Sequence, residues 1–127
     1  MKILFVDDIR DTRDFFRFAF QLDNVEVVLA ANGQEAVDLA RENHFDAIVM
    51  DVEMPQMNGW DAVRAIRALP SQQENRVPIL MYTAAMDNGI RARAQEVGAD
   101  VVLFKPLLPR EILTRIEKLL EAKTPKN

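Results

Sequence analysis

Lys2-Ile-Leu-Phe-Val6 is a short run of β-branched and aromatic residues that stops on two carboxylates, Asp7 and Asp8. Five residues are too few for a stable helix and suit a strand buried on both faces. Short apolar runs return along the chain: Val25-Glu-Val-Val-Leu-Ala30, Asp46-Ala-Ile-Val-Met50, Val77-Pro-Ile-Leu-Met-Tyr82 and Asp100-Val-Val-Leu-Phe104. Three of them also end on a polar residue, namely Asp51, Thr83 and Lys105.

Amphipathic stretches fill the gaps. Residues 10–22 read as a helix, with Asp8 as its N-cap and Asp11 in the first turn, where a carboxylate favours the helix dipole. Asn32-Gly-Gln-Glu35 has the spacing of a capping box and opens a helix to about Asn43. Asn58-Gly59 opens a third, from about Trp60 to Leu69, and Pro70 to Arg76 reads as a polar loop. A fourth helix spans 87–97 and ends at Gly98; the last runs from about Arg110 to Ala122, leaving a short tail over 123–127. Strands separated by helices imply right-handed βαβ units and a parallel sheet. The expected fold is α/β, a doubly wound, flavodoxin-like (βα)5 domain with strand order 2-1-3-4-5. In such sheets ligands sit at the carboxyl ends of the strands, beside the switch point between the first and third strands. Asp7, Asp8 and Asp51 end those two strands.

The 127 residues suit one domain, and 49% hydrophobic with 28% charged residues is an ordinary globular balance. Without cysteine the chain has no disulfide, thiolate nucleophile or zinc–thiolate site. A net charge of -4, with acids interleaved among the arginines, argues against nucleic-acid binding. Arginine pairs such as Arg64 and Arg67 read as solvated helix faces. No apolar run approaches the roughly 20 residues of a membrane span, and no signal peptide is evident, so a cytoplasmic protein is expected.

Three carboxylates, a hydroxyl and an ammonium at one sheet edge suit a divalent cation and a phosphoryl group. A carboxylate attacks a phosphoryl group held in line once its charge is neutralised. Mg²⁺ takes one or two carboxylates, waters and phosphoryl oxygens, which points to Asp8 and Asp51 with Asp7 beside them. Lys105 offers a compact positive charge and Thr83 a hydrogen bond. Taken singly, each has a plainer role: Asp7 or Asp8 as a helix cap, Asp51 as a turn residue before Pro55, Thr83 as a cap, Lys105 as a surface lysine. Their shared position favours one site.

The chain resembles the receiver domains of two-component response regulators over essentially its whole length. The resemblance rests on Asp7-Asp8, Asp51-Val-Glu-Met-Pro55 with Asn58-Gly59, Thr83-Ala84, Gly98-Ala-Asp100 and Lys105-Pro106. It implies a stand-alone receiver over residues 1–122. It implies Asp51 as phosphoacceptor, and Mg²⁺ held by Asp8, Asp51 and the backbone carbonyl of Glu53. It implies that Thr83 and Lys105 contact the phosphoryl group, and that Lys105–Pro106 is a cis peptide. The donor would be a phosphohistidine on a histidine kinase or a histidine phosphotransfer protein, and an unknown output protein would read the result. The chain would be a switch acting on itself rather than an enzyme. Two other readings stand beside this one: a binding module that signals without phosphorylation, and a Mg²⁺-dependent phosphohydrolase with an aspartate nucleophile.

Receivers usually carry an aromatic residue where this chain has Val102; Phe104 falls on the same side of the strand by alternation. In the first helix, Phe16, Ala19 and Phe20 form a core face. Phe15, Phe18 and Leu22 form a second stripe, either packed at the core edge or exposed as a docking surface for the phosphodonor. His44, the one histidine, is expected at a helix C-terminus; Met50, Met54 and Met81 as core filling; and Trp60 as a partly exposed packing residue.

Overall fold

The computed structural model describes residues 1–85 and 87–123, so the last four residues of the expected tail lie outside it. The chain runs β1 (Lys2–Val6), α1 (Arg10–Leu22), β2 (Glu26–Ala30), α2 (Gly33–Glu42), β3 (Ala47–Asp51), α3 (Gly59–Arg67) and α4 (Ser71–Glu74). It continues through β4 (Ile79–Thr83), α5 (Ile90–Val97), β5 (Val101–Phe104) and α6 (Pro109–Lys123). The strands form one parallel sheet in the order β2-β1-β3-β4-β5, as expected.

The strands' two-residue alternation divides the core. Leu4, Val6, Ile48, Met50, Ile79 and Met81 point to the face covered by α2, α3 and α5. Ile3, Phe5, Ala47, Val49, Leu80 and Tyr82 point to the face covered by α1 and α6. Both faces of β1, β3 and β4 are therefore apolar, which is why these strands carry no polar alternation. Phe16 and Phe20 stack and edge against Phe5 on the α1 face, with ring centroids 4.6 and 6.2 Å away.

Local chemistry sets the helix ends. Asn32 accepts from the Glu35 N–H at 2.9 Å, and the Glu35 carboxylate accepts from the Ala31 N–H at 3.3 Å, a capping box displaced by one residue. Asn58 accepts from the Asp61 N–H at 2.9 Å. Gly98, at φ 99°, closes α5 in the left-handed region.

Several expectations need correcting. Ile9, not Asp8, occupies the N-cap of α1, and no side chain caps that end. Pro70 to Arg76 is not all loop: with Pro70 at φ -55°, preset for helix, α4 makes one turn there. Trp60 is buried, only 5% exposed, because Gly59 lets α3 lie directly on the end of β3. His44 lies past the Asn43 cap, where its Nδ1 meets the Asn75 amide nitrogen at 3.0 Å, and the Asn43 side chain serves the α2 terminus instead.

Arg67 is not a solvated helix residue. It donates to the carbonyls of Gly98 at 2.8 Å and Val77 at 2.7 Å, to Gln72 at 3.0 Å and to Asp100 at 3.0 Å. Asp100 in turn accepts from the Ile79 N–H at 2.8 Å. The network ties α3 to the amino ends of β4 and β5, at the sheet edge opposite the acidic cluster. Hydrogen bonds to charged groups contribute about 1.5–3 kcal/mol each.

A Cβ at Gly59 would strike the Asp51 carbonyl and stand 2.9 Å from Val52 Cα. Gly59→Ala is expected to lower unfolding free energy by about 2 kcal/mol or more, since rigid backbone must shift. Gly89→Ala, where the nearest atom is 3.6 Å away, should stay within about 0.5 kcal/mol. Urea denaturation of both variants checks the pair; equal effects would contradict the close approach at Gly59.

Candidate functional site

The carboxyl ends of β1, β3, β4 and β5 deliver the site. The Asp7 N–H continues the ladder to the Ala30 carbonyl at 3.1 Å, so its side chain leaves the sheet at a defined point. One carboxylate oxygen of Asp7, Oδ1, accepts from the Ile9 N–H at 2.8 Å, and the Asp7 carbonyl accepts from Arg13 at 2.9 Å. The other, Oδ2, is buried and accepts no hydrogen bond among the described residues. Asp51 is the last residue of β3, only 6% exposed, and its carboxylate accepts from the backbone N–H of Glu53. Asp8, the next residue out from β1, is exposed. One ligand oxygen from each of Asp7, Asp8 and Asp51 lies within 4.8 Å of the others.

Lys105 approaches from β5. Its N–H donates to the Thr83 carbonyl at 2.8 Å, and a cis peptide joins it to Pro106. Its Nζ stands 3.6 Å from Asp7 Oδ2 and 3.6 Å from Asp51 Oδ1. Beneath it lies Tyr82, with the ring centroid 5.1 Å from Nζ. The Tyr82 hydroxyl and the Leu107 backbone lie 3.3 Å apart, a contact that holds the loop after Lys105. Thr83 is buried, and its Oγ1 accepts from the Ala85 N–H at 3.1 Å. The hydroxyl therefore already grips the loop that leads to α5.

Burial raises the Asp51 carboxyl from 3.8 to about 6; Lys105 opposes the rise, while Asp7 and Asp8 add to it. Among the described residues, three carboxylates gather here around the Lys105 ammonium, and the buried Oδ2 of Asp7 accepts no hydrogen bond. Hard oxygen donors grouped this closely suit a hard divalent cation, which makes the cluster an acidic pocket able to bind one. The set Asp7, Asp8 and Asp51 fits Mg²⁺ chemistry on that ground.

A cleft of about 760 Å³ opens beside Asp8 and Glu53, between the start of α3 and α5. Trp60 lines it, with the Arg93 guanidinium 5.2 Å from the ring centroid. All five expected side chains thus fall at one sheet edge, with Lys105 bridging two of the acids. Sequence reasoning missed Arg13, which holds the Asp7 carbonyl, and Tyr82, which lies under Lys105. Neither residue's spacing announces its role, although Tyr82 is Thr83's neighbour on a readable strand.

Val102 and Phe104 do share a face, packed in the same cluster. Phe16 and Phe20 are buried, and Met50, Met54 and Met81 fill the core, as expected. The second stripe of α1 is exposed: Phe15 57%, Phe18 64% and Leu22 69%.

Comparison with known proteins agrees with this geometry. Residues 3–117 match the family described as response regulator receiver domain. Chemotaxis protein CheY4 of Vibrio cholerae superposes with a TM-score of 0.84 at 36% identity, covering 92% of this chain and 96% of that one. The receiver domain of sensor histidine kinase PA1611 from Pseudomonas aeruginosa PAO1 has a TM-score of 0.84 at 30% identity, covering 94% and 97%. That structure holds a magnesium ion coordinated in its active-site cleft. Transcriptional regulatory protein SrrA of Staphylococcus aureus is 34% identical over 119 residues, 94% of this chain and 47% of the relative. The chain therefore spans about half the length of that relative. Sheet order, the acidic cluster under Lys105 and the match over residues 3–117 lead to one conclusion: the chain belongs to the response regulator receiver domain family.

Proposed function

We propose that residues 1–122 form a phosphorylation-controlled signalling switch in which Asp51 accepts a phosphoryl group. The donor is a phosphohistidine of a histidine kinase or a histidine phosphotransfer protein, and an output protein reads the altered surface. The observation that carries this reading is the position of Lys105 Nζ, 3.6 Å from both Asp7 and Asp51. An ammonium shared between two buried carboxylates is placed to hold a third anion once charge is balanced. Mg²⁺, held by Asp8, Asp51 and the Glu53 backbone carbonyl with Asp7 alongside, would neutralise charge on the transferring group.

The remaining work falls to the chain itself. An Asp51 carboxylate oxygen forms a bond to phosphorus as the bond from phosphorus to the donor's imidazole nitrogen breaks, and the imidazole leaves with a proton from solvent. Lys105 takes one phosphoryl oxygen as a point charge. Thr83 donates its hydroxyl to another, which draws on the loop held through Ala85. Thr83 pairs with Phe104 across β4 and β5, so a shift at Thr83 passes to the β5 surface. The chain turns over no metabolite in this reading; it catalyses only its own phosphorylation and dephosphorylation. Among the described residues no helix is long and apolar enough to cross a membrane, and a cytoplasmic site of action fits a kinase-fed switch.

Incubation with Mg²⁺ and acetyl phosphate, followed by intact mass measurement, tests the assignment. A phosphoryl mass is expected on the wild type only when Mg²⁺ is present, and never on Asp51→Asn. Labelling that persists in the variant, or that ignores chelation, would overturn it.

Electrostatics supplies a second test. The Asp51 carboxyl loses its proton near 3.8 unfolded and near 6 folded without metal, so the folded state holds that proton more tightly. Unfolding free energy contributed by Asp51 therefore falls between about pH 4 and pH 6 and then levels off. Without Mg²⁺, Asp51→Asn should be more stable than the wild type by about 1–3 kcal/mol above about pH 7, with no such gain below about pH 4. Thermal melts across pH check the sign; a less stable variant at neutral pH would contradict it.

The exposed stripe of Phe15, Phe18 and Leu22 is the proposed contact for the donor's helices. Phe15→Ala is expected to slow phosphotransfer from the cognate kinase by about tenfold while leaving labelling by acetyl phosphate unchanged. Equal loss with both donors would place Phe15 in folding rather than docking.

A further inference from the structure

Asp7 and Asp8 share the turn between β1 and α1, yet they are held very differently. Asp7 is buried; its N–H donates to the Ala30 carbonyl at 3.1 Å, and its Oδ1 accepts from the Ile9 N–H at 2.8 Å. Asp8 is exposed, and among the described residues its carboxylate accepts no hydrogen bond and forms no ion pair. The other two carboxylates repel it. One of its oxygens nevertheless lies within 4.8 Å of the ligand oxygens of Asp7 and Asp51. Its backbone must therefore hold it there.

The helix cap gives that backbone no side-chain support, because Ile9 occupies the N-cap of α1. Arg13 supplies the tie. It is half-buried in the first turn of α1, where its backbone N–H donates to the Ile9 carbonyl at 3.0 Å. Its guanidinium Nη1 reaches back and donates to the Asp7 carbonyl at 2.9 Å. That carbonyl belongs to the planar peptide unit joining Asp7 to Asp8, so a grip on it also fixes the nitrogen and Cα of Asp8. Among the described residues no other side chain binds this peptide unit.

We propose that Arg13 is a positioning residue for a divalent cation: it aims Asp8 into the cluster and so sets both affinity and selectivity for a small, hard ion. This role rests on the reading of Asp7, Asp8 and Asp51 as a cation site. Arg13 is not itself a ligand, and its positive charge works against a bound cation. Removing the charge alone would tighten cation binding, whereas losing the grip on Asp8 would loosen it, so the two effects have opposite signs. Mg²⁺ demands near-ideal octahedral geometry and Ca²⁺ accepts irregular oxygen sets, so a displaced Asp8 harms Mg²⁺ binding most.

Titration of Mg²⁺ and of Ca²⁺ into the metal-free protein, followed by the amide chemical shifts of residues 7–10, tests the role. Arg13→Met keeps an apolar stem and a good helix former while removing donor and charge, so the fold is expected to survive. Its Mg²⁺ dissociation constant should rise about tenfold, as for other residues that orient a metal ligand. Its Ca²⁺ constant should change by no more than about twofold. Arg13→Lys, which retains a charge and a donor, should recover most of the loss. In an Asp8→Asn background Arg13→Met should add no further loss, because its effect passes through Asp8. Mg²⁺ binding that is unchanged or tighter in Arg13→Met, equal losses for both ions, or a full loss that persists beside Asp8→Asn would overturn the proposal. A wild type that binds neither ion would overturn the cation reading itself, and the role of Arg13 with it.

Discussion

Mutual repulsion among Asp7, Asp8 and Asp51 is the constraint on which the site turns. Their ligand oxygens gather within 4.8 Å at an edge where two of the three side chains are buried. Burial and like charge both disfavour ionisation, and the upward displacement of Asp51 records their sum against the pull of Lys105. The arrangement is tolerable because Lys105 supplies one positive charge and Asp7 receives a backbone N–H on one oxygen only. Among the described residues the second oxygen of Asp7 accepts no hydrogen bond and faces the Lys105 ammonium at 3.6 Å instead. The same residues that weaken the folded state are the ones proposed to act.

The rest of the fold serves that cluster. A parallel sheet buried on both faces brings four strand ends to one edge without polar residues inside the sheet. Gly59 lets α3 begin against the Asp51 carbonyl, and its N–H donates to the Val52 carbonyl at 2.8 Å, which fixes the turn after the acid. At the opposite edge, Arg67 and Asp100 lock α3 to β4 and β5, so the site's floor is held from below.

Much of this was legible from residues alone, for identifiable reasons. Strand runs such as Ile3 to Val6 and Ala47 to Met50 have no competing helical pattern, so both their existence and their order could be read. Asp51, Thr83 and Lys105 declared themselves because each ends such a run. What escaped notice depended on tertiary contact. Arg67 looked like a solvated helix arginine because its carbonyl partners, Gly98 and Val77, lie far along the chain. Trp60 looked half exposed because the close packing at Gly59, against the Asp51 carbonyl, is a tertiary contact. Asp8 has a good capping side chain, yet the cap of α1 fell to Ile9 and the local backbone bond went to Asp7. The exposure of Phe15, Phe18 and Leu22 was likewise undecidable until the sheet's position beneath α1 was known.

Asp7, Asp8 and Asp51 form one electrostatic unit able to bind a divalent cation. Carbon-detected NMR titration of the Asp51 carboxyl, with and without Mg²⁺, tests this most directly. Titration near 6 is expected in the metal-free protein, with a clear move to lower pH when Mg²⁺ is added. A carboxyl that titrates near 3.8 and ignores Mg²⁺ would contradict it.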